Sequence, residues 1–429
     1  MTPETATAVD SCQAARLLKA ANQNMVVSQA GMTHAGRPAG RAAGTGRCRL
    51  RGKDRPNARP ANQRAPLRAL HAARLAALGV ALALAGCASV QPPDVLHGVP
   101  ALRAMWAADG VRDLRGMYRQ ALCRRLAVAS AQGPGAAVDC DQVLPDAGDE
   151  AMSGALPVAD RARLAARYRV LLVAGLFAEC FGTPTRPMTD VMQALQADGF
   201  DVTRMDLSGR GGAVANADAL ARQIRALDVD GRGFIVLAYS KGLVDILEMA
   251  ARHPDLVPRI AAVISLAGAA RGTPLADEYG ESYRHWLAHL PMPGCEAGTG
   301  EELLDLTRTR RAQWWQTHRG ALGLPVYTLV AAPAPGRISP LLRLNYRALA
   351  RVDPRNDGQL LWGDQIAPDS VLLGFINADH WGIANPLSRS LPLFAFLFVD
   401  DVPRAHIVAA AIEVVDATLP SAGGVRRTP

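Results

Sequence analysis

The chain has 429 residues, 49% of them hydrophobic and 20% charged, with a formal net charge of +8; that is long enough for one large domain or two ordinary ones with a sizeable core. The positive charge is local, because residues 1–75 hold 13 Lys/Arg against 3 Asp/Glu and the remainder holds 34 against 36. With no basic stripe interleaved with aromatics in that remainder, the balance excludes a nucleic-acid partner.

Residues 1–66 are rich in Arg, Gly, Ala and Pro and lack periodicity, so they read as a disordered or mis-assigned N-terminal extension outside the fold. Residues 67–87 read as a secretory signal: Arg68 and Arg74 precede an apolar run from Leu75 to Ala85, which ends in Gly86-Cys87. Eleven apolar residues make only about 16 Å of helix, against a hydrocarbon core of about 30 Å. Leu84-Ala85-Gly86-Cys87 resembles the lipobox of bacterial lipoproteins. That resemblance implies a lipidated Cys87 at the start of the mature protein and a membrane partner reached through this anchor. It also implies a cell-envelope location, on the outer membrane facing the periplasm or the cell surface, because Ala88 and not Asp follows the cysteine. The alternative is a short core helix with an incidental cysteine.

Beyond the signal remain Cys123, Cys140, Cys180 and Cys295, an even number suited to an oxidising compartment. Of the three connectivities, Cys123–Cys140 with Cys180–Cys295 is favoured, since the first closes a short local loop; four buried thiols are the alternative.

Residues 88–168 read as a helical and irregular leader, with "VRDLRGMYRQALCRRLAV" at helical spacing. From 169 to 420 strand and helix patterns alternate. "RVLLVAGLF", "DVTRMDL", "GFIVLAYS", "RIAAVISLAGAA", "LPVYTLVAAP" and "SVLLGFINA" are strand-like. "MTDVMQALQADGF", "NADALARQIRAL", "GLVDILEMAARH", "PLFAFLFVDDV" and "HIVAAAIEVVDATL" are helical. Such alternation predicts an α/β domain, a mostly parallel sheet with helices on both faces. Residues 271–324 break it with a helical, lid-like insertion, placed where open α/β sheets bind ligands.

"AYSKG" places Ser240 between a strand and a helix, with small residues Ala238 and Gly242 two positions to either side. This is the context of a nucleophile elbow; a helix-capping serine is the bland alternative. A serine hydroxyl needs a base, and His380 alone among the nine histidines stands directly at the end of the last sheet strand, in "FINADHWGIANP", whereas His406 begins a C-terminal helix. The acid that orients it should lie between the two. Asp357, in the turn Asn356-Asp357-Gly358, is the first choice, Asp364 the second, and Asp379 too close to His380. Oxyanion donors are expected from the backbone N–H of Lys241, which opens a helix, and of Leu176 (or Phe177) in the loop after Gly175. The Lys241 side chain reads as solvated, Asp206 and Arg210 as loop residues, and Trp314 and Trp315 either as an acyl-chain wall or as the insertion's own core. No His/Cys/Asp cluster has metal-ligand spacing, so no metal or other cofactor is expected.

Over about Arg169–Ala384 these motifs resemble the α/β-hydrolase family, especially its lipases and esterases: "AGLF", "AYSKG", "NDGQL" and "DHWGIANP" fall in the family's order. Ala174 and Ala238 depart from its usual His and Gly. The resemblance implies a serine hydrolase that cleaves an ester or lipid substrate through Ser240, His380 and Asp357 by an acyl-enzyme. An acyltransferase or polyester depolymerase with the same residues, and a non-catalytic lipid-binding envelope protein, are the rivals.

Overall fold

Five apolar runs, a four-residue strand and a two-residue edge strand pair as an all-parallel sheet in the computed structural model. The structure describes residues 106–132, 138–146, 148, 150, 156–180, 182, 185–290 and 294–419. The extension 1–66, the signal segment 67–87 and its Cys87 lie outside the described residues. The strands are β1 Arg112–Asp113, β2 Tyr168–Val173, β3 Asp201–Arg204, β4 Gly233–Tyr239, β5 Ile260–Leu266, β6 Val326–Ala331 and β7 Val371–Ile376. Their spatial order is β1-β7-β6-β5-β4-β2-β3. The sheet is built outward in one direction by β3 and in the other by β4 to β7, so the order reverses between β2 and β4. At that switch point the carboxyl ends of two adjacent strands diverge and leave a crevice.

The apolar runs lack polar alternation because helices cover both faces. In β4, Ile235, Leu237 and Tyr239 join a core with helices Arg115–Gln132, Thr189–Ala197 and Arg404–Thr418. Phe234, Val236 and Ala238 face the opposite core, with helices Ala213–Ala226 and Lys241–Arg252. Every one of these six β4 side chains is at most 5% exposed, and each large one contributes about 1.5–3 kcal/mol on burial. Among the described residues no helix is long and apolar enough to cross a membrane.

Two segments differ from the sequence reading. Within 88–168, read as a helical and irregular leader, the described residues contribute to the sheet and its core. Their β1 extends the sheet edge beside β7, and Tyr118, Leu122 and Leu126 are buried in the same core as the C-terminal helix. The Arg-rich face of helix Arg115–Gln132 disguised this, because Arg124 and Arg125 pair with Glu413 of that helix and do not face water alone. "PLFAFLFVDDV" forms only the 3₁₀ turn Pro392–Leu397, with no buried residue. An apolar run with no face to pack against lacks the tertiary contacts that sustain a helix.

The insertion between β5 and β6 carries helices Pro274–Trp286, Glu301–Leu304 and Arg308–His318. Thr273 caps the first, its hydroxyl accepting from the Leu275 N–H at 3.3 Å, with Pro274 in the first turn. Trp315 packs into the core against helix Lys241–Arg252, and its indole donates to the Ala270 carbonyl at 2.8 Å. Trp314 donates to Glu248 at 2.6 Å. These tryptophans therefore anchor the insertion to the domain.

Candidate active site

β4 ends at Tyr239, and Ser240 turns the chain into helix Lys241–Arg252 with φ 55° and ψ −124°. A non-glycine residue there is strained by about 1–3 kcal/mol, a strain that persists only where surroundings enforce it. They do so here: the Ser240 N–H donates to the Leu266 carbonyl at 3.1 Å, and its own carbonyl accepts from Ala269 at 3.1 Å. The small flanking residues have a direct cause. A Cβ on Gly242 would stand 2.4 Å from the Val173 carbonyl oxygen, and one on Gly175 would stand 2.8 Å from the Ser240 Cβ. The elbow and the loop after β2 thus touch backbone to backbone, at the topological switch.

The structure brings Ser240, His380 and Asp357 into one hydrogen-bonded line. Ser240 Oγ lies 2.9 Å from His380 Nε2, and His380 Nδ1 lies 2.7 Å from Asp357 Oδ2. Asp357 is fully buried, while Ser240 and His380 keep 9% and 5% exposure. Asp357 Oδ1 accepts the Gln359 and Leu360 N–H groups at 2.8 and 2.7 Å, and Oδ2 also accepts from Gln365 Nε2 at 3.2 Å. An acceptor held this firmly keeps the imidazole proton on Nδ1 and leaves Nε2 to accept from the serine. Two backbone contacts hold the histidine: its N–H donates to the Asp357 carbonyl at 3.0 Å, and its carbonyl accepts from the Tyr239 hydroxyl at 2.8 Å. Burial pushes that hydroxyl well above the usual tyrosine range, so it stays protonated as a donor.

Among the described residues, the backbone N–H groups of Leu176 and Lys241 have no hydrogen-bond partner, whereas Phe177 donates to the Gly209 carbonyl at 2.9 Å. Leu176, not Phe177, is therefore the free donor of that loop. The Lys241 side chain differs from its expected solvated state. It is 1% exposed and its Nζ lies 2.5 Å from Asp245 Oδ1. The amphipathic helix leaves its first turn beneath the sheet edge, so the ammonium finds a carboxylate one turn on instead of water. Asn216 donates to the other oxygen of Asp245 at 2.9 Å.

The remaining candidates lie elsewhere. Asp364 faces a separate cavity of about 530 Å³, together with Asp109, Arg271, Arg308, Trp315 and Arg319. Asp379 is buried and accepts from the backbone of Ser339, Trp381 and Gly382, so it shapes the His380 loop without touching the imidazole. Asp206 is exposed, and its backbone N–H and carbonyl are bonded by the Gln223 amide at 2.9 and 2.7 Å. Arg210 is buried, and its guanidinium takes the carbonyls of Leu287, Ala288, Leu290 and Glu296, tying the insertion down.

Disulfides join Cys123 to Cys140 and Cys180 to Cys295. Glu179, Cys180 and Cys295 form the one grouping of possible metal ligands among the described residues, and its sulfurs are committed to each other. Sequence reasoning missed Gln365, Tyr239, Asn216 and Asp245. Nothing in their local pattern marks them, because each acts through a contact made only after folding.

A solved structure of a metagenomic carboxyl esterase is similar to this chain, with 30% identity over 79% of this chain and 98% of that one, at a TM-score of 0.68. The mature form of a Bacillus licheniformis lipase is more distant, at 21% identity over 54% of this chain and 91% of that one, with a TM-score of 0.42. No family profile matches the chain, and no curated protein does.

Proposed function

Because this chain belongs to the α/β-hydrolase family, we propose that it hydrolyses carboxylic esters with Ser240 as nucleophile. The observation that carries this reading is the unbroken line Asp357–His380–Ser240, at 2.7 and 2.9 Å, ending on a serine held in a strained turn. Its similarity to a solved carboxyl esterase points to the same bond class.

In this mechanism Ser240 Oγ attacks the ester carbonyl as His380 Nε2 takes its proton. Asp357 keeps the imidazolium oriented and balances its charge. The developing oxyanion is met by the Leu176 and Lys241 N–H groups, the second at the positive end of helix Lys241–Arg252. With the lysine ammonium drawn under the helix to Asp245, only the backbone of Lys241 faces the site. His380 then protonates the departing alcohol, and a water activated by the same nitrogen releases the acid from the acyl-enzyme.

Labelling by a fluorophosphonate probe tests the reading. The wild-type protein should react at Ser240, and Ser240→Ala and His380→Ala should not. Labelling retained in Ser240→Ala would name another nucleophile. A folded wild-type protein that neither reacts nor turns over p-nitrophenyl butyrate would leave a binding protein on a hydrolase fold.

The same reading keeps Cys87 as a lipidation site that holds the enzyme at the cell envelope, on the motif Leu84-Ala85-Gly86-Cys87. Incorporation of labelled palmitate, abolished in Cys87→Ser, is the expected outcome; equal incorporation would remove the anchor.

A further inference from the structure

The loop that carries Gly175 and Leu176 has a second side. Away from Ser240 it closes a small recess at the carboxyl ends of β2 and β3, lined by Gly175, Glu179, Arg186, Arg204, Asp206 and Gly209. Arg204 is the last residue of β3, and Arg186 lies just before helix Thr189–Ala197. Two half-buried guanidinium groups thus share one recess.

Their surroundings do not neutralise them. Arg204 donates to the Pro187 carbonyl at 2.7 Å. The charged neighbour that acts on it is Arg186, and burial together with that like charge lowers its pKa from the usual arginine range. Arg186 Nε is buried with no hydrogen-bond partner. Glu179 lines the recess too, but its Oε1 accepts the Gly209 N–H at 2.6 Å and its Oε2 is buried without a partner. Asp206 is exposed. Among the described residues neither arginine forms an ion pair, whereas the buried Arg115 and Arg404 pair with Asp113 and Asp190.

Two half-buried cations that share one recess, with the Arg186 Nε left unused, repel each other, and an anion between them relieves that repulsion. Guanidinium forks suit a planar carboxylate or a phosphate, each able to accept paired N–H bonds. We propose that this recess binds an anionic group of the ester substrate, a carboxylate or phosphate, through Arg186 and Arg204. The proposal rests on the hydrolase reading for the word substrate, and on geometry alone for the anion. The oxyanion loop would then be gripped from both sides, by the reacting carbonyl at Leu176 and by the anion beneath Gly175.

The test compares p-nitrophenyl butyrate with the mono-p-nitrophenyl ester of glutaric acid and with an ester bearing a terminal phosphate in the same place. The wild-type protein should favour one charged ester by about tenfold in kcat/KM, equivalent to one strong charge-assisted contact. Whichever charged ester wins identifies the anion. In Arg186→Gln, and more fully in R186Q/R204Q, the ratio of charged to neutral ester should fall to one or below. Arg186→Gln alone breaks no hydrogen bond of the described structure, so it guards against a folding defect.

Neutral ester turnover with an equal ratio in wild type and variants would overturn the anion site and leave the hydrolase reading intact. If no ester is turned over, calorimetric titration of the wild-type protein with monomethyl glutarate and glycerol phosphate decides. Binding lost in Arg186→Gln upholds the recess as an anion site, and no binding in wild type overturns it.

Discussion

Gln365 reaches Asp357 across the end of β6: its Nε2 lies 3.2 Å from Asp357 Oδ2, the same oxygen that meets His380. The amide is itself fixed to Ala331, accepting its N–H at 2.7 Å and donating to its carbonyl at 3.2 Å. The sheet thereby sets the direction of a carboxylate that stands in a loop. Gln365→Leu should lower kcat about tenfold with little change in KM, the loss of one buried hydrogen bond that positions the acid. A raised KM at constant kcat would mean that Gln365 only packs there.

Lys241 and Asp245 form an ion pair with both side chains almost fully buried. Burial raises the Asp245 pKa, against the opposing pull of Lys241. Removing one partner strands the other, so Lys241→Met should destabilise the protein by about 3–5 kcal/mol. The double variant K241M/D245L should recover most of that loss in urea unfolding. Equal loss in the single and double variants would show that shape, not charge, matters at this position.

Asp364 gives a pH signature distinct from the triad. Burial raises its pKa to about 6 in spite of Arg308 and Arg271 nearby. The folded state then holds this proton more tightly than the unfolded state does, so Asp364 costs stability as pH rises from about 4 to about 6. The full effect, on the order of 3 kcal/mol, is present above pH 6. Asp364→Asn should therefore gain on wild type in thermal unfolding at pH 7 and lose that advantage at pH 4. An advantage independent of pH would exclude the carboxyl as its source.

The two disulfides close loops of very different size, with sequence separations of 17 and 115 residues. By loop entropy the short one contributes about 3 kcal/mol and the long one about 5 kcal/mol. The pair Cys180→Ser/Cys295→Ser should unfold at lower urea than Cys123→Ser/Cys140→Ser. The reverse order would mean that the Cys123 loop holds strain-free contacts that the entropy argument omits.

Much of this arrangement was legible before folding. The strands β2 and β4 to β7 are apolar runs, and strand-end positions are where an α/β sheet exposes side chains, which is why Ser240 and His380 stand out. Asp357 stood out by its turn. What stayed hidden depends on contacts between distant segments. β1 is two residues long and polar, so no periodicity marks it, and only its partner Val371–Leu372 makes it a strand. Lys241 looked solvated because a lysine at a helix start normally is, and only Asp245 and the packed sheet edge draw it inward. Arg186 carries no motif at all; its meaning comes from Arg204, delivered by another strand.

The pairing of β1 with β7, Arg112 with Val371, spans most of the described chain. During synthesis the segment around Arg112 emerges early and cannot find its partner until the final strand has been made. Contacts of such long sequence separation slow folding, because the intervening chain must close first. Helix Arg115–Gln132 therefore waits with Tyr118 and Leu122 unburied, an apolar face that invites association with other chains. Protein truncated before Val371 should keep that face open and aggregate, whereas a circular permutant that begins beyond β1 and brings it next to β7 should refold faster.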